Sequence, residues 1–197
     1  MSDQILWLAA RGAGIVSLLL FTSVVCLGVL TVVRWQSPSW PRFLSAGLHR
    51  NLALLSVVFL ALHIVTAVID PYTSLGFIAA AIPFASSYRP LWVGLGVIAF
   101  DLLLALVVSS LLRARLGQRA WRAIHWLAYA AWPLALAHGF GAGSDGSAAW
   151  MIAIQVACVA AVGGAVAWRV IAGRSNRGQL AAVARGAGRL TTQRPEA

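Results

Sequence analysis

Five long apolar runs organise the chain, and most of the stretches between them carry arginine. The first, Gly14 to Val33, has twenty residues without a charge and is flanked by Arg11 and Arg34. At about 1.5 Å per residue it covers the roughly 30 Å hydrocarbon core of a bilayer. It is too long for the apolar core of a signal peptide, and no small-x-small cleavage site follows it, so the pattern predicts a retained helix. The second run lies between Arg50 and Asp70 and is broken only by His63. Its helix is expected to start near Ser45, which brings His49 into the first turns. The third run is Leu91 to Leu112, with Asp101 at its centre. The fourth extends from near Arg119 to near Phe140 and contains Pro133. The fifth is Ala148 to Trp168. Between the second and third, Leu75 to Phe84 is apolar but short, which predicts an interfacial or re-entrant segment. The expected fold is an all-α membrane protein, a bundle of about five transmembrane helices.

Composition agrees with a lipid solvent. Of the 197 residues 60% are hydrophobic and 10% are charged, where a soluble domain carries about 25% charged residues. The net charge of +10 comes entirely from arginine, as the chain has no lysine. The arginines sit at run ends and form no soluble basic face, so they suit anionic lipid headgroups and not nucleic acid. They also set the expected topology. The first loop has Arg34, Arg42 and Arg50, and the third has Arg113, Arg115, Arg119 and Arg122. The tail carries Arg169, Arg174, Arg177, Arg185, Arg189 and Arg194. Five spans put all of these on one side and leave Arg11 and Arg89 on the other. The N-terminus is then outside and the C-terminus cytoplasmic, and a sixth span would break the partition. Trp35, Trp40, Trp92, Trp121, Trp150 and Trp168 fall near run ends, where indole rings favour the interface. Gln179 to Leu190 reads as a short basic amphipathic helix on the membrane surface. Cys26 and Cys158 lie inside apolar runs, with no ligand-spaced partner, and read as small buried hydrophobes.

The chemistry lies in the histidines. The chain has four, and they fall two by two in the second and fourth helices. His49 and His63 are fourteen residues apart, which returns to within about 40° of the same helix face about 21 Å away. His125 and His138 are thirteen apart, which an ideal helix leaves about 140° out of register. Pro133 lies between them and is expected to kink or rewind the helix. The second and fourth helices run in the same sense, so His49 is level with His125 and His63 with His138. Histidine inside a bilayer needs a partner. Paired imidazoles facing each other across a bundle suit the two axial positions of a haem iron. Zinc would want three or four ligands at one height, and Asp70, Asp101 and Asp145 do not supply them. A proton path remains open as a non-redox alternative.

A resemblance follows from these residues. The segments His49–Arg50–Asn51–Leu52 to Leu60–Ala61–Leu62–His63, and His125–Trp126–Leu127–Ala128–Tyr129 to Leu136–Ala137–His138–Gly139, resemble the haem-binding helices of the ferric reductase-like transmembrane domain. That superfamily includes NADPH oxidases, ferric-chelate reductases and the bacterial membrane subunit of the periplasmic methionine sulfoxide reductase system. Tyr88–Arg89–Pro90, and Arg115–Leu116–Gly117 with Trp121, His125 and Tyr129, resemble the bacterial branch. The resemblance runs from about Ala10 to Val170. It implies a haem domain over residues 1–170 and a basic cytoplasmic tail over 171–197, in a bacterial plasma membrane.

The resemblance further implies two b-type haems, the cytoplasmic one held by His49 and His125 and the outer one by His63 and His138. Electrons would pass from inside to outside, to a ferric chelate, a periplasmic redox partner or oxygen. The tail is too short for the flavin and nicotinamide domains of the oxidases. The expected donor is therefore a separate flavin-type protein, free flavin or quinol. Arg50 and Arg122, beside the cytoplasmic histidines, are candidates for haem propionates, and Arg89, on the outer side, for the outer haem propionates or for attracting an anionic ferric chelate. For Arg50 and Arg122 the competing role is ordinary contact with lipid headgroups. Asp101 reads either as a proton- or quinone-linked group or as a hydrogen bond to a neighbouring helix. Phe59, Trp126, Tyr129 and Trp132 are placed to pack between the haems or simply in the core. Two rival functions stay open: a one-haem, quinol-linked subunit of a periplasmic reductase, and a non-redox proton channel or transporter.

Overall fold

The computed structural model describes residues 2–32, 42–71, 73 and 75–192. Arg34, Trp35 and Trp40 fall outside them, as does Arg194. All regular structure among the described residues is helical: α1 (Ser2–Val32), α2 (Arg42–Ile69), α3 (Phe77–Ala81), α4 (Pro90–Leu111), α5 (Arg113–His125), α6 (Ala128–Gly141) and α7 (Ala149–Thr192). Four of these contain stretches long and apolar enough to cross a membrane: Gln4–Thr31, Phe43–Ile69, Pro90–Leu111 and Ala149–Arg174. Their outer faces are covered with exposed Leu, Val, Ile and Phe, an arrangement that is stable in lipid and costly in water. The short apolar segment after α2 forms the five-residue α3, far too short to span.

The fourth apolar run is not one helix. It divides into α5 and α6 at Trp126 and Leu127, and α6 alone, at fourteen residues, is only about 21 Å long. The winding changes at the junction. Trp126 N–H bonds to the Ala123 carbonyl, Leu127 to Ile124, Tyr129 to Trp126 and Ala130 to Leu127. These are three-residue spacings, and each such residue advances the chain about 120° instead of about 100°. Four of them turn α6 forward by about 80°, more than half of the roughly 140° mismatch between His125 and His138. Pro133, expected to be the cause, lies inside α6. The rewinding is complete before it, because a proline removes only its own N–H bond, here to Tyr129. A second break lies at Gly117, whose φ of 75° is a left-handed conformation that glycine adopts without strain.

Helix α1 is the hub and packs against α2, α6 and α7, while α4 packs against α6. The α1–α2 pair is antiparallel, and its register holds along its whole length. Ser17 Oγ donates to the Ser56 carbonyl at 3.2 Å and Ser56 Oγ donates back to the Ser17 carbonyl at 3.3 Å. Ser56 lies midway between His49 and His63. Phe21, Val25, Ala131 and Val162 form a buried core between α1, α6 and α7. Trp132 packs against that core, and its Nε1 donates to Thr22 Oγ1 at 3.0 Å. Beyond the span, α7 runs on as one continuous helix to Thr192 with no separate surface helix.

The start of α4 and the end of α6 are tied together by Arg89, which enters α4 in a left-handed conformation. Its guanidinium donates to the carbonyls of Gly141 at 2.6 Å and Gly143 at 3.0 Å, and Tyr88 Oη donates to Ala142. A cation here meets the carbonyl-rich end of α6. Arg89→Ala is expected to lower stability by about 1–2 kcal/mol; both bonds leave from one nitrogen, Nη1, so Arg89→Lys, whose ammonium carries three donors, is expected to restore most of it. Thermal unfolding in detergent measures this.

Candidate functional site

The four histidines come together as two cross-helix pairs. His49 and His125 have ring centres 6.3 Å apart, and His63 and His138 have theirs 6.0 Å apart. The rings within each pair are inclined at 55° and 79°, so neither pair is stacked. Two imidazoles on opposite sides of one metal ion would have centres roughly 6 Å apart, from about 2.0 Å per metal–nitrogen bond and about 1.1 Å from nitrogen to ring centre.

Three of the four rings are held in the same way. His49 Nδ1 lies 3.1 Å from the Val24 carbonyl, His63 Nδ1 2.7 Å from that of Ala10, and His138 Nδ1 2.8 Å from that of Trp92. A carbonyl oxygen only accepts, so each Nδ1 carries the proton and each Nε2 keeps a free lone pair. That is the tautomer a metal ligand needs, and the carbonyl is the outer partner that fixes it. Four residues beyond each accepting carbonyl stands a glycine that makes room for the ring. A Cβ on Gly28 would lie 3.5 Å from His49 Cε1, and one on Gly14 would lie 2.8 Å from His63 Nδ1. At Gly96 a Cβ would collide with His138. Gly14 and Gly28 are spaced by fourteen residues, as are His49 and His63. This matching period was visible in the sequence and went unread.

His125 is different. Its Nδ1 is buried and has no hydrogen-bond partner among the described residues. Its ring stacks on Trp121, one turn earlier in α5, at 4.8 Å and 28°.

The His63–His138 pair lines a cavity of about 230 Å³. Its walls are mostly apolar, with Leu18, Phe100 and Leu103 among them, and Arg11, Tyr88 and Ser144 supply polar groups. Arg11 pairs with Asp145 and lies over Gly143, where a side chain would collide with the guanidinium. Sequence reasoning assigned Arg11 only to topology, whereas the structure brings it into the cavity wall. Arg89 is among the cavity's neighbours in sequence but uses its guanidinium on the α6 carbonyls. Arg50 and Arg122 are exposed beside His49 and His125 in the chain. Asp101 is exposed on α4 and makes no hydrogen bond among the described residues, so it does not tie α4 to a neighbouring helix. Trp126 and Tyr129 form a half-exposed aromatic pair with centres 5.0 Å apart, and Arg169 donates to Tyr129 Oη.

Among the described residues no group of three or more His, Cys, Asp or Glu comes together at metal-binding distance. The donors are paired imidazoles and nothing else. Such a donor set suits a metal whose other ligands come from a macrocycle. The glycine cradles, the free Nε2 lone pairs of the three anchored rings and the apolar cavity fit a haem.

Fold and site define a helical integral membrane protein built around two histidine pairs. The family model of the ferric reductase like transmembrane component matches residues 13–136. The chain belongs to that family, whose role is electron transfer in a membrane. The match includes His49, His63 and His125 and ends two residues before His138. No curated protein and no solved structure matches the chain.

The glycine cradles carry a direct prediction. Gly14→Ala is expected to displace the His63 ring from the Ala10 carbonyl and to cost about 1–3 kcal/mol. Gly12→Ala, where nothing lies within 4 Å, is expected to be neutral or to stabilise α1 by up to about 1 kcal/mol. Thermal unfolding of the two variants side by side separates crowding of the ring from a general intolerance of alanine in α1.

Proposed function

We propose that the protein is a transmembrane b-type cytochrome with two haems, one between His49 and His125 and one between His63 and His138. Electrons enter from a cytoplasmic flavin-type or quinol donor and leave to an extracytoplasmic acceptor. That acceptor is a ferric chelate, a periplasmic redox partner or oxygen. The observation that carries this reading is the anchoring of three histidine rings on neighbouring-helix carbonyls, each beside a glycine, with every Nε2 left free. A proton path gains nothing from fixing Nδ1–H this firmly, since a relay histidine must exchange protons at both nitrogens. A ligand gains its orientation and its basicity.

A haem in each site would supply one-electron exchange at the iron. The chain's own residues do the rest. His49, His63 and His138 present Nε2 in a fixed direction. The apolar walls of the outer site exclude water and keep the local dielectric low, which acts on the potential of an iron held there. Arg11, at the outer cavity, offers a positive charge to propionates or to an anionic acceptor. The exposed Arg50 and Arg122 are suited to propionates on the cytoplasmic side or to lipid headgroups.

In this reading α5 and α6 together form the fifth crossing of a bacterial plasma membrane. The N-terminus is then outside, and the arginine-rich loops and tail are cytoplasmic. The outer pair faces the side where Arg11 and Arg89 lie.

Purified protein is expected to carry two b-type haems per chain by the pyridine haemochrome assay, with low-spin bis-imidazole bands in the reduced-minus-oxidised spectrum. His63→Ala is expected to halve the haem content. A colourless protein from haem-replete cells would sink the proposal in favour of the proton-pathway reading. One haem per chain in the unmutated protein would favour a quinol-linked, single-haem subunit.

A further inference from the structure

The two histidine pairs are not built alike. Both rings of the outer pair are anchored on backbone carbonyls, His63 on Ala10 and His138 on Trp92. In the other pair only His49 is anchored, on Val24. The missing fourth anchor has a recognisable place. On α1 the cradle repeats after fourteen residues, from Ala10 and Gly14 to Val24 and Gly28. The same step along α4 leads from Trp92 and Gly96 to Leu106 and Ser110. There the Leu106 carbonyl is taken by Ser109 Oγ at 3.1 Å, and Ser110 Oγ accepts from Trp121 Nε1 at 3.3 Å. Position 110 carries a side chain where a glycine would be needed, and the carbonyl is already engaged.

Of the helices that carry histidines, the one that carries His125 is also the least secured. Helix α5 has no buried residue. It is broken internally at Gly117 and ends at the tightened turn at Trp126–Leu127. Its contacts are mainly with α4. Besides the Trp121–Ser110 bond, its side-chain hold is local: Arg113 bonds to Gln118 within α5 and lies over the Trp121 ring at 4.2 Å. By contrast, His49 and His63 share one long helix that is stapled to α1, and His138 lies in a helix clamped at its end by Arg89.

Resting on the two-haem reading, we infer that His125 is a displaceable axial ligand, so that the reduced haem of the His49–His125 pair takes a neutral diatomic ligand while the His63–His138 haem does not. The exchange breaks the bond between iron and His125 Nε2 and forms one between iron and the incoming molecule. The iron stays ferrous, the imidazole leaves neutral, and no electron changes hands. His49, held by the Val24 carbonyl, remains as the opposite ligand. The Trp121 stack holds the displaced ring near its bound position, which favours its return.

Carbon monoxide is the probe, added to dithionite-reduced full-length protein in detergent or lipid nanodiscs after its haem content has been counted. About one carbon monoxide per two haems is expected in the CO-difference spectrum. Trp121→Ala is expected to tighten carbon monoxide binding roughly 2- to 12-fold, the factor set by losing one aromatic stack that holds the competing imidazole. Gly12→Ala, far from any ring, serves as the control and is expected to bind as the parent does. No carbon monoxide on a chain that holds two haems overturns this inference and leaves the electron-transfer proposal standing. So does uptake at both haems. One carbon monoxide per chain with an affinity indifferent to Trp121 overturns the assignment to His125. A chain without haem overturns the electron-transfer proposal and this inference with it.

Discussion

The structure depends on one repeated interaction: an imidazole N–H reaching the backbone carbonyl of a neighbouring helix across a glycine. A helix carbonyl is already bonded to the N–H four residues later, and in this chain that later residue is the glycine itself. The second lone pair of the oxygen is free, but a side chain at the later position would cover it. Removing the Cβ exposes it, and the ring fills the space. The same few atoms therefore set the closeness of α1 to α2 and of α4 to α6, the tautomer of three histidines, and the direction of three Nε2 lone pairs. In lipid there is no hydrophobic drive between helices, so close approach and hydrogen bonds of this kind carry much of the packing. The Ser17–Ser56 exchange, midway between the two levels, belongs to the same economy of small residues.

What the chain's pattern disclosed was what depends on period and polarity. The helices α1, α2, α4 and α7 follow from apolar length alone, and the shared face of His49 and His63 follows from their fourteen-residue spacing, whereas the thirteen residues between His125 and His138 do not by themselves bring those two into register. The division of the fourth run into α5 and α6 was not legible. Three-residue and four-residue backbone bonding differ by small changes in φ and ψ, to which no residue in Ala123–Ala130 commits the chain. Pro133 was the visible irregularity and drew the explanation to itself, although its effect is confined to its own missing N–H.

Arg89 and Arg11 both lie at the end of the bundle that holds His63 and His138, and local structure sets the place of each. Arg89 stands in a left-handed conformation that turns it toward the end of α6, where free carbonyls compete for it. Arg11 sits one turn before Gly14 on the face that meets His63, so helical period alone would have directed it inward. A glycine inside a membrane helix signals close approach, and at Gly14, Gly28 and Gly96 the object that approaches is the ring itself.

The asymmetry between the two levels is the consequence that reaches furthest. A relay of two fully anchored sites would be closed to everything except electrons. This chain anchors both histidines at one level and only one at the other, and its unanchored histidine sits on a short exposed helix between two breaks in regular winding. The structural cost of closing the fourth position would be small: a glycine for Ser110 and a free carbonyl at Leu106. The serines instead hold α5 through Trp121 and occupy that carbonyl through Ser109. Rigidity at the outer level and latitude at the other are thus written into the same two helices, α4 and the α5–α6 pair, by whether a glycine or a serine stands at one step of a fourteen-residue repeat.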